Sequence, residues 1–355
     1  MEYSRSISVS LAIIATVVVF YVLAVGRTLL VPFAVAVMLW YIVNALSRWY
    51  ASVFRSGSGR VNWLTLLSSV ITIAALAALI VNMIQNNISD VVAAAPGYKV
   101  NVDRLIAKLS GLFGLQQVPT VGQLIENIDI APAITSLAGA LTGLLGNVGL
   151  IVIYVAFLLF EQNTFEVKIS RLFPQPERQQ QVRRLLQHMQ KEIQSYISIK
   201  TMISMATGIF GYAVLKLVGV DYAEFWAFTI FLLNFIPTIG SIAATVFPAL
   251  LTLIQFDTFT PFFIVAVGLA VIQFVLGNVI EPKLMGSTLN LSPLVVLLSL
   301  ALWGSVWGVA GMFLCVPITV IALIVLSHFP PTQPIAVLLS GSGTLKEAAA
   351  PEPTA

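Results

Sequence analysis

Long apolar runs dominate the chain, and the polar residues between them fall at intervals that suit membrane crossings. A hydrocarbon core of about 30 Å is spanned by about 20 apolar residues in a helix. By that rule Ile7–Val25, Thr28–Leu46, Val61–Met83, Ser136–Phe160 and Met202–Val218 predict five ordinary spans. Three further apolar stretches follow, Ala223–Ile254, Phe262–Ile280 and Pro293–Leu326. The first and third are too long for a simple crossing and carry internal breakers, Pro237 and Gly240 in one and Gly304, Gly308 and Gly311 in the other. The pattern predicts an all-α integral membrane protein with about eight transmembrane helices, several of them discontinuous or re-entrant in the C-terminal half.

Two segments outside the spans are amphipathic. Val102, Leu105, Ile106, Leu109, Leu112 and Phe113 share one helical face, as do Val182, Leu185, Leu186, Met189, Ile193 and Ile197. Each is read either as an interfacial helix on the headgroups or as a helix packing in an oligomer. Residues 1–340 are expected to form one transmembrane domain, with an amphipathic segment at 85–135 and an amphipathic helix within 161–200. The small, polar, Pro-containing stretch 341–355 is expected to be a disordered tail.

Composition sharpens this picture. Of 355 residues, 58% are apolar and 9% charged, against about 25% charged in a soluble domain. The net charge of +3 is too small to argue for nucleic acid. The lone Cys315 excludes an intramolecular disulfide framework. Ile7–Val25 is longer than the h-region of a cleavable signal, so it is read as a retained span.

Orientation follows from the basic residues. Arg48, Arg55 and Arg60 lie in a loop without acids, and Glu161–Lys200 carries seven basic residues against four Glu. Gln85–Thr135 carries three basic residues against Asp90, Asp103, Glu126 and Asp129. The positive-inside rule places the first two segments in the cytoplasm and the third outside. Eight crossings leave both termini cytoplasmic, although a re-entrant hairpin at Pro237 would change that parity.

Candidate chemistry sits in two interruptions. GNVIEPKLMGSTLNLSP, from Gly277 to Pro293, sets Glu281, Pro282 and Lys283 inside bilayer-grade sequence, bracketed by Gly277 and Gly286. A helix-interior Pro costs about 3 kcal/mol, and an ionised residue at a span centre costs about 2.5–3.5 kcal/mol. The clustering therefore predicts a helix broken around a polar site. LLNFIPTIG, from Leu232 to Gly240, echoes it, each copy placing an Asn (Asn234, Asn278) two residues before an Ile, then a Pro and a Gly. Interrupted spans at corresponding positions point to a midplane transport site, because unwound backbone is tolerated where it lines a protein or water cavity. The alternative is a pair of ordinary Pro kinks with helix-packing amides.

The expected pathway residues are Asn234, Pro237, Thr238, Gly240, Gln273, Gly277, Asn278, Glu281, Pro282, Lys283 and Gly286. An intramembrane acid marks an ion or substrate path by default, which makes Glu281 the leading candidate unless the break lies among the headgroups. Lys283 is either its partner or a residue that snorkels to the interface. The sequence holds no Walker A motif and no HExxH, and His188 and His328 both fall near span boundaries, with no His in a span neighbouring Ser241. An enzyme is not expected, nor a metal or cofactor.

These same residues carry a family resemblance. VPFAVAVMLWYIVNAL from Val31, FWAFTIFLLNFIPTIGSIAATVFPAL from Phe225, the block from Gly277 to Pro317 and QPIAVLLS from Gln333 resemble the AI-2E family, named for bacterial exporters of the signal autoinducer-2. The likeness runs from about Leu11 to Ser340. Around Asp103–Asp129 it extends only to position and length. It implies a bacterial inner-membrane transporter of about eight helices that assembles as a homo-oligomer, a pentamer by resemblance. Its expected partners are a small polar solute, H+ or Na+, and the lipid bilayer. Some members look like exporters of a small sugar-like signal and others resemble sodium/proton antiporters. Glu281 suits both.

Overall fold

The computed structural model describes residues 2–53, 63–76, 78–79, 82, 146–162, 164–285 and 289–345. The amphipathic segment expected within 85–135, Gly286 and residues 346–355 lie outside them. Among the described residues the chain is helical apart from one isolated bridge between Leu291 and Ser340. Four helices among the described residues are long and apolar enough to cross a membrane, or five if Val148–Glu161 and Phe165–Leu172, bent by 65°, count as one span. Four shorter apolar helices accompany them. The chain is an all-α, multi-pass membrane protein.

Two compact units share the chain. The first comprises Met1–Ile42, Asn147–Gln194 and Leu289–Ala355, the second Val43–Gly146 and Ser195–Thr288. In chain order the helices are α1 (Glu2–Val25), α2 (Arg27–Val53), α3 (Trp63–Leu76), α4 (Val148–Glu161), α5 (Phe165–Leu172), α6 (Pro176–Val218), α7 (Ala223–Leu233), α8 (Ile239–Gln255), α9 (Thr260–Gln273), α10 (Glu281–Met285), α11 (Pro293–His328) and α12 (Gln333–Leu339). A π-helical segment, Phe274–Ile280, joins α9 to α10.

In the first unit α2 and α4 run alongside each other. Phe33 meets Tyr154 edge-on at 5.5 Å, and Trp40 Nε1 donates to Gln162 Oε1 at 3.0 Å. The long apolar stretch from Pro293 is a helical hairpin. Gly308 adopts φ 62, ψ −142 inside α11, a region reserved largely for glycine, and the chain doubles back there. Ser299 Oγ consequently reaches the Cys315 carbonyl at 3.1 Å and the Thr319 hydroxyl. Sixteen residues of straight helix would hold Ser299 and Cys315 about 24 Å apart. At the tip, Trp307 Nε1 donates to the Leu23 carbonyl at 2.9 Å, filling an acceptor that the end of α1 leaves open. At the base, Ser292 N–H donates to Leu339 O and Gly341 N–H to Asn290 O. The Asn290 side chain also takes Ser342 N–H and donates to Thr344 O. Asn290 thus bonds Gly341, Ser342 and Thr344 at the start of the stretch expected to be a tail.

In the second unit the end of α6 packs with α7, α8 and α9 around Leu215, Trp226, Ile230, Ala244, Val265 and Leu269. Small residues let the helices close up: a Cβ on Gly208 would stand 3.1 Å from the Ala227 carbonyl oxygen, and one on Gly268 3.1 Å from Val214 Cγ1. The sequence reading separates a surface helix ending near Lys200 from a span beginning at Met202. The structure has one helix there, 43 residues long, because no breaker lies between the two patterns. It ends in a Schellman motif, Gly219 N–H bonding Lys216 O and Val220 N–H bonding Leu215 O.

Candidate functional site

Helices α7 and α8 form the second hairpin of the molecule. Its base is closed by Gln255, whose amide donates to Gly219 O at 2.9 Å and accepts from Asp221 N–H at 2.9 Å. Its tip is the predicted Asn234–Gly240 interruption. Ile239 N–H bonds back to Pro237 O at 2.6 Å around Thr238, which sits at φ 60, ψ −63. That is a γ-turn of the rare, strained, positive-φ kind, held in a β-branched residue. A side chain on Gly240 would collide with the Leu233 carbonyl, so the two arms close only because this residue has no Cβ.

Asn234 begins the site. It is buried, and its amide donates to Ser204 Oγ on α6 at 3.0 Å. One helical turn earlier on the same face of α6 is Lys200, whose Nζ lies 2.6 Å from Glu281 Oε1. The two side chains are only 8% and 15% exposed. The hairpin tip and the carboxylate therefore meet adjacent turns of one helix, on the pairs Ser204–Asn234 and Lys200–Glu281.

The second predicted interruption is built differently. The helix is not broken at Glu281-Pro282-Lys283. It widens into the π segment Phe274–Ile280 and continues as α10, Glu281 N–H bonding Leu276 O five residues back. Proline has no N–H and clashes with the carbonyl four residues before it in an α-helix. A π turn just ahead of Pro282 displaces that carbonyl, and the helix survives, as π-bulges at functional sites commonly do. Glu281 takes its partner from α6, and the alternative that paired it with Lys283 does not hold: Lys283 and Pro282 are exposed.

The expected residues thus divide. Asn234, Gln273 and Glu281 are withdrawn from the surface, with Gly240 buried and Pro237 half-buried at the tip. Gly277 is half-buried within the π segment, whereas Asn278 and Thr238 are exposed, so the two asparagines of the echo do not converge. Lys200 and Ser204 were missed. Their signal is the polar series Lys200, Thr201, Ser204, Thr207 in an otherwise apolar part of α6, hidden because Lys200 closes a charged segment.

The energetics make this pair a weak stabiliser. Two charges leaving water pay a desolvation penalty that their attraction repays only with good geometry, and removing one partner alone costs about 3–5 kcal/mol. Among the described residues no cluster of His, Cys, Asp and Glu is suited to a metal.

A family model described as AI-2E family transporter matches residues 11–330. Among curated relatives, a putative transport protein of Haemophilus influenzae is 33% identical over 78% of this chain and 82% of its own length. The AI-2 transport protein TqsA of Escherichia coli is 32% identical over 88% of this chain and 89% of its own. The putative transport protein YhhT of Escherichia coli is 29% identical over 88% of each.

Proposed function

The chain belongs to the AI-2E family of transporters, and from that premise we propose that it is a secondary-active exporter of autoinducer-2 or a similar small polar metabolite. The observation that supports this reading most is the Lys200–Glu281 pair held one turn from the Ser204–Asn234 contact at a strained hairpin tip. Alternating access would move the tip of α7–α8 relative to α6. Asn234 and the backbone of Pro237–Gly240 would bind solute as the Ser204 contact opens. A proton on Glu281 would release Lys200 and free that motion, so the movement is coupled to a gradient. In this reading the protein works as a homo-oligomer in the bacterial inner membrane with its N-terminus in the cytoplasm, as the basic loops suggest.

The test is efflux of autoinducer-2 from proteoliposomes holding the full-length protein under an imposed proton gradient. Accumulation outside that collapses with the gradient, and that Glu281→Gln abolishes, is the expected result. Flux unchanged by Glu281→Gln would sink the coupling role.

The same ion pair favours a second reading, a monovalent cation/proton antiporter, because a carboxylate facing a lysine can trade a proton for a cation. A sodium gradient imposed without organic solute would then change internal pH, and the exporter would leave it flat.

A further inference from the structure

Among the described residues, four side chains in the second unit bury a polar atom without a hydrogen-bond partner, Thr201 beside Lys200 and, further along the bundle, Thr229, Trp226 and Gln273. The last three do not find the partners their counterparts find elsewhere in the chain. Buried helical threonines here bond a carbonyl three or four residues back, as Thr207 does to Ile203 O at 2.8 Å and Thr252 to Ala249 O at 2.6 Å. Thr229, 2% exposed, has no bond from its hydroxyl. Trp40 and Trp307 donate their indole N–H groups, to Gln162 and to Leu23 O, but Trp226, 2% exposed, does not. Gln255 uses both ends of its amide, whereas Gln273, 9% exposed, leaves its Oε1 buried and unmatched. Each such atom carries an uncompensated desolvation cost, and helix interiors in a bilayer have no bulk water to offset it.

The three fall in series. Around Gly211 a Cβ would meet both Ile230 of α7 and Leu269 of α9, which puts those two residues level. Gln273 lies one turn beyond Leu269, and Asn234 one turn beyond Ile230, both toward the Lys200–Glu281 end. Thr229 neighbours Ile230, and Trp226 sits one turn further from that end on the same face of α7 as Thr229. Beyond the ion pair and the hairpin tip, the unmatched atoms therefore continue up the bundle as an amide acceptor, a hydroxyl and an indole donor.

We propose that Gln273, Thr229 and Trp226 form a second binding step on the solute path, which takes an uncharged, hydroxyl-bearing group. An acceptor-only atom, a donor-only atom and a hydroxyl between them match a group that both donates and accepts. They give a cation or an anion no countercharge. The inference deepens the transporter reading and rests on it for the direction of the path.

The test is binding, independent of flux. Full-length protein in detergent is titrated with glycerol, erythritol and D-ribose while thermal unfolding is followed, beside glutamate and glycine betaine as charged probes. Exclusion of polyols from the surface raises the melting temperature of every variant alike, so the reading is the saturable part that differs between variants. At least one uncharged probe is expected to bind the wild type, with apparent affinity weakened at least tenfold by Thr229→Val, Gln273→Leu or Trp226→Phe. Without probe, Thr229→Val keeps the side-chain shape and is expected to leave the melting temperature unchanged or higher, because no protein hydrogen bond is lost. No saturable response to any uncharged probe, a response equal in all variants, an equal response to the charged probes, or a clear melting loss in Thr229→Val each overturns the proposal. Variant-sensitive binding without flux keeps it and removes the transporter reading, and flux without variant-sensitive binding does the reverse.

Discussion

The two helical hairpins solve one construction problem with opposite chemistry. Both arms of each lie antiparallel, and in each a glycine just past the tip packs against a carbonyl of the first arm, Gly240 on Leu233 and Gly311 on Trp303. Each base is closed by one side-chain amide, Gln255 or Asn290. The tips differ. In α11 the turn rests on Gly308, the tryptophans Trp303 and Trp307 pack beside it at 5.1 Å, and Ser299 and Thr319 spend their hydroxyls inside the hairpin. In α7–α8 the turn includes Thr238 at positive φ, and its polar Asn234 bonds a neighbouring helix one turn from an ion pair. Polar groups in α11 are spent largely inside the hairpin, whereas Asn234 is directed to a neighbouring helix beside a strained tip; under the proposed mechanism the second hairpin is the one that changes partners.

Substitutions can break that contrast. The largest effect is expected to be the same in both hairpins: Gly240→Val and Gly311→Val force a side chain into backbone and should each cost about 3 kcal/mol or more, read as lost folded protein in size-exclusion profiles. If either is tolerated, the close approach is not what shapes that turn. Next comes Lys200→Met, which strands Glu281 and should lower stability by about 3 kcal/mol while abolishing transport. The double variant Lys200→Met/Glu281→Leu should recover most of the stability and none of the transport, and recovery of both would reduce the pair to a brace. Smaller again, Ser204→Ala and Ser299→Ala each remove a buried hydroxyl bond worth about 1 kcal/mol. Ser204→Ala is expected to lower transport several-fold, whereas Ser299→Ala should shift only the melting temperature. Equal transport losses would erase the distinction between site and scaffold. Last, Thr238→Gly should relieve the γ-turn, raising stability by about 1 kcal/mol. A loss there would mean that the Thr238 side chain makes a contact worth more than the strain.

The echo between Leu232–Gly240 and Val275–Gly286 shows how far residue patterns carry. It located an interruption that the structure has, at Asn234–Gly240, and a carboxylate, Glu281, that the structure pairs with Lys200. It equated two segments that the structure builds as a hairpin tip and as a widened helix. The nearer structural counterpart of the first is the turn at Gly308, where the sequence offers glycines in an apolar run and, near the turn, only Ser305 as a polar residue.

Hydrophobic run length determined by itself that this is an all-α membrane protein, since lipid leaves a spanning backbone little choice but to satisfy its own hydrogen bonds. The resemblance of its segments also pointed to the family that the family model shows. The tertiary structure decided which polar residues meet. Lys200 and Glu281 are 81 positions apart and Asn234 and Ser204 are 30 apart, joined through the antiparallel register of α6 with α7 and α9. Gly208 and Gly268 let those helices close up, and a π turn precedes Glu281. Local pattern carries no information about such partners, because each helix satisfies the bilayer equally well whichever way its polar face turns.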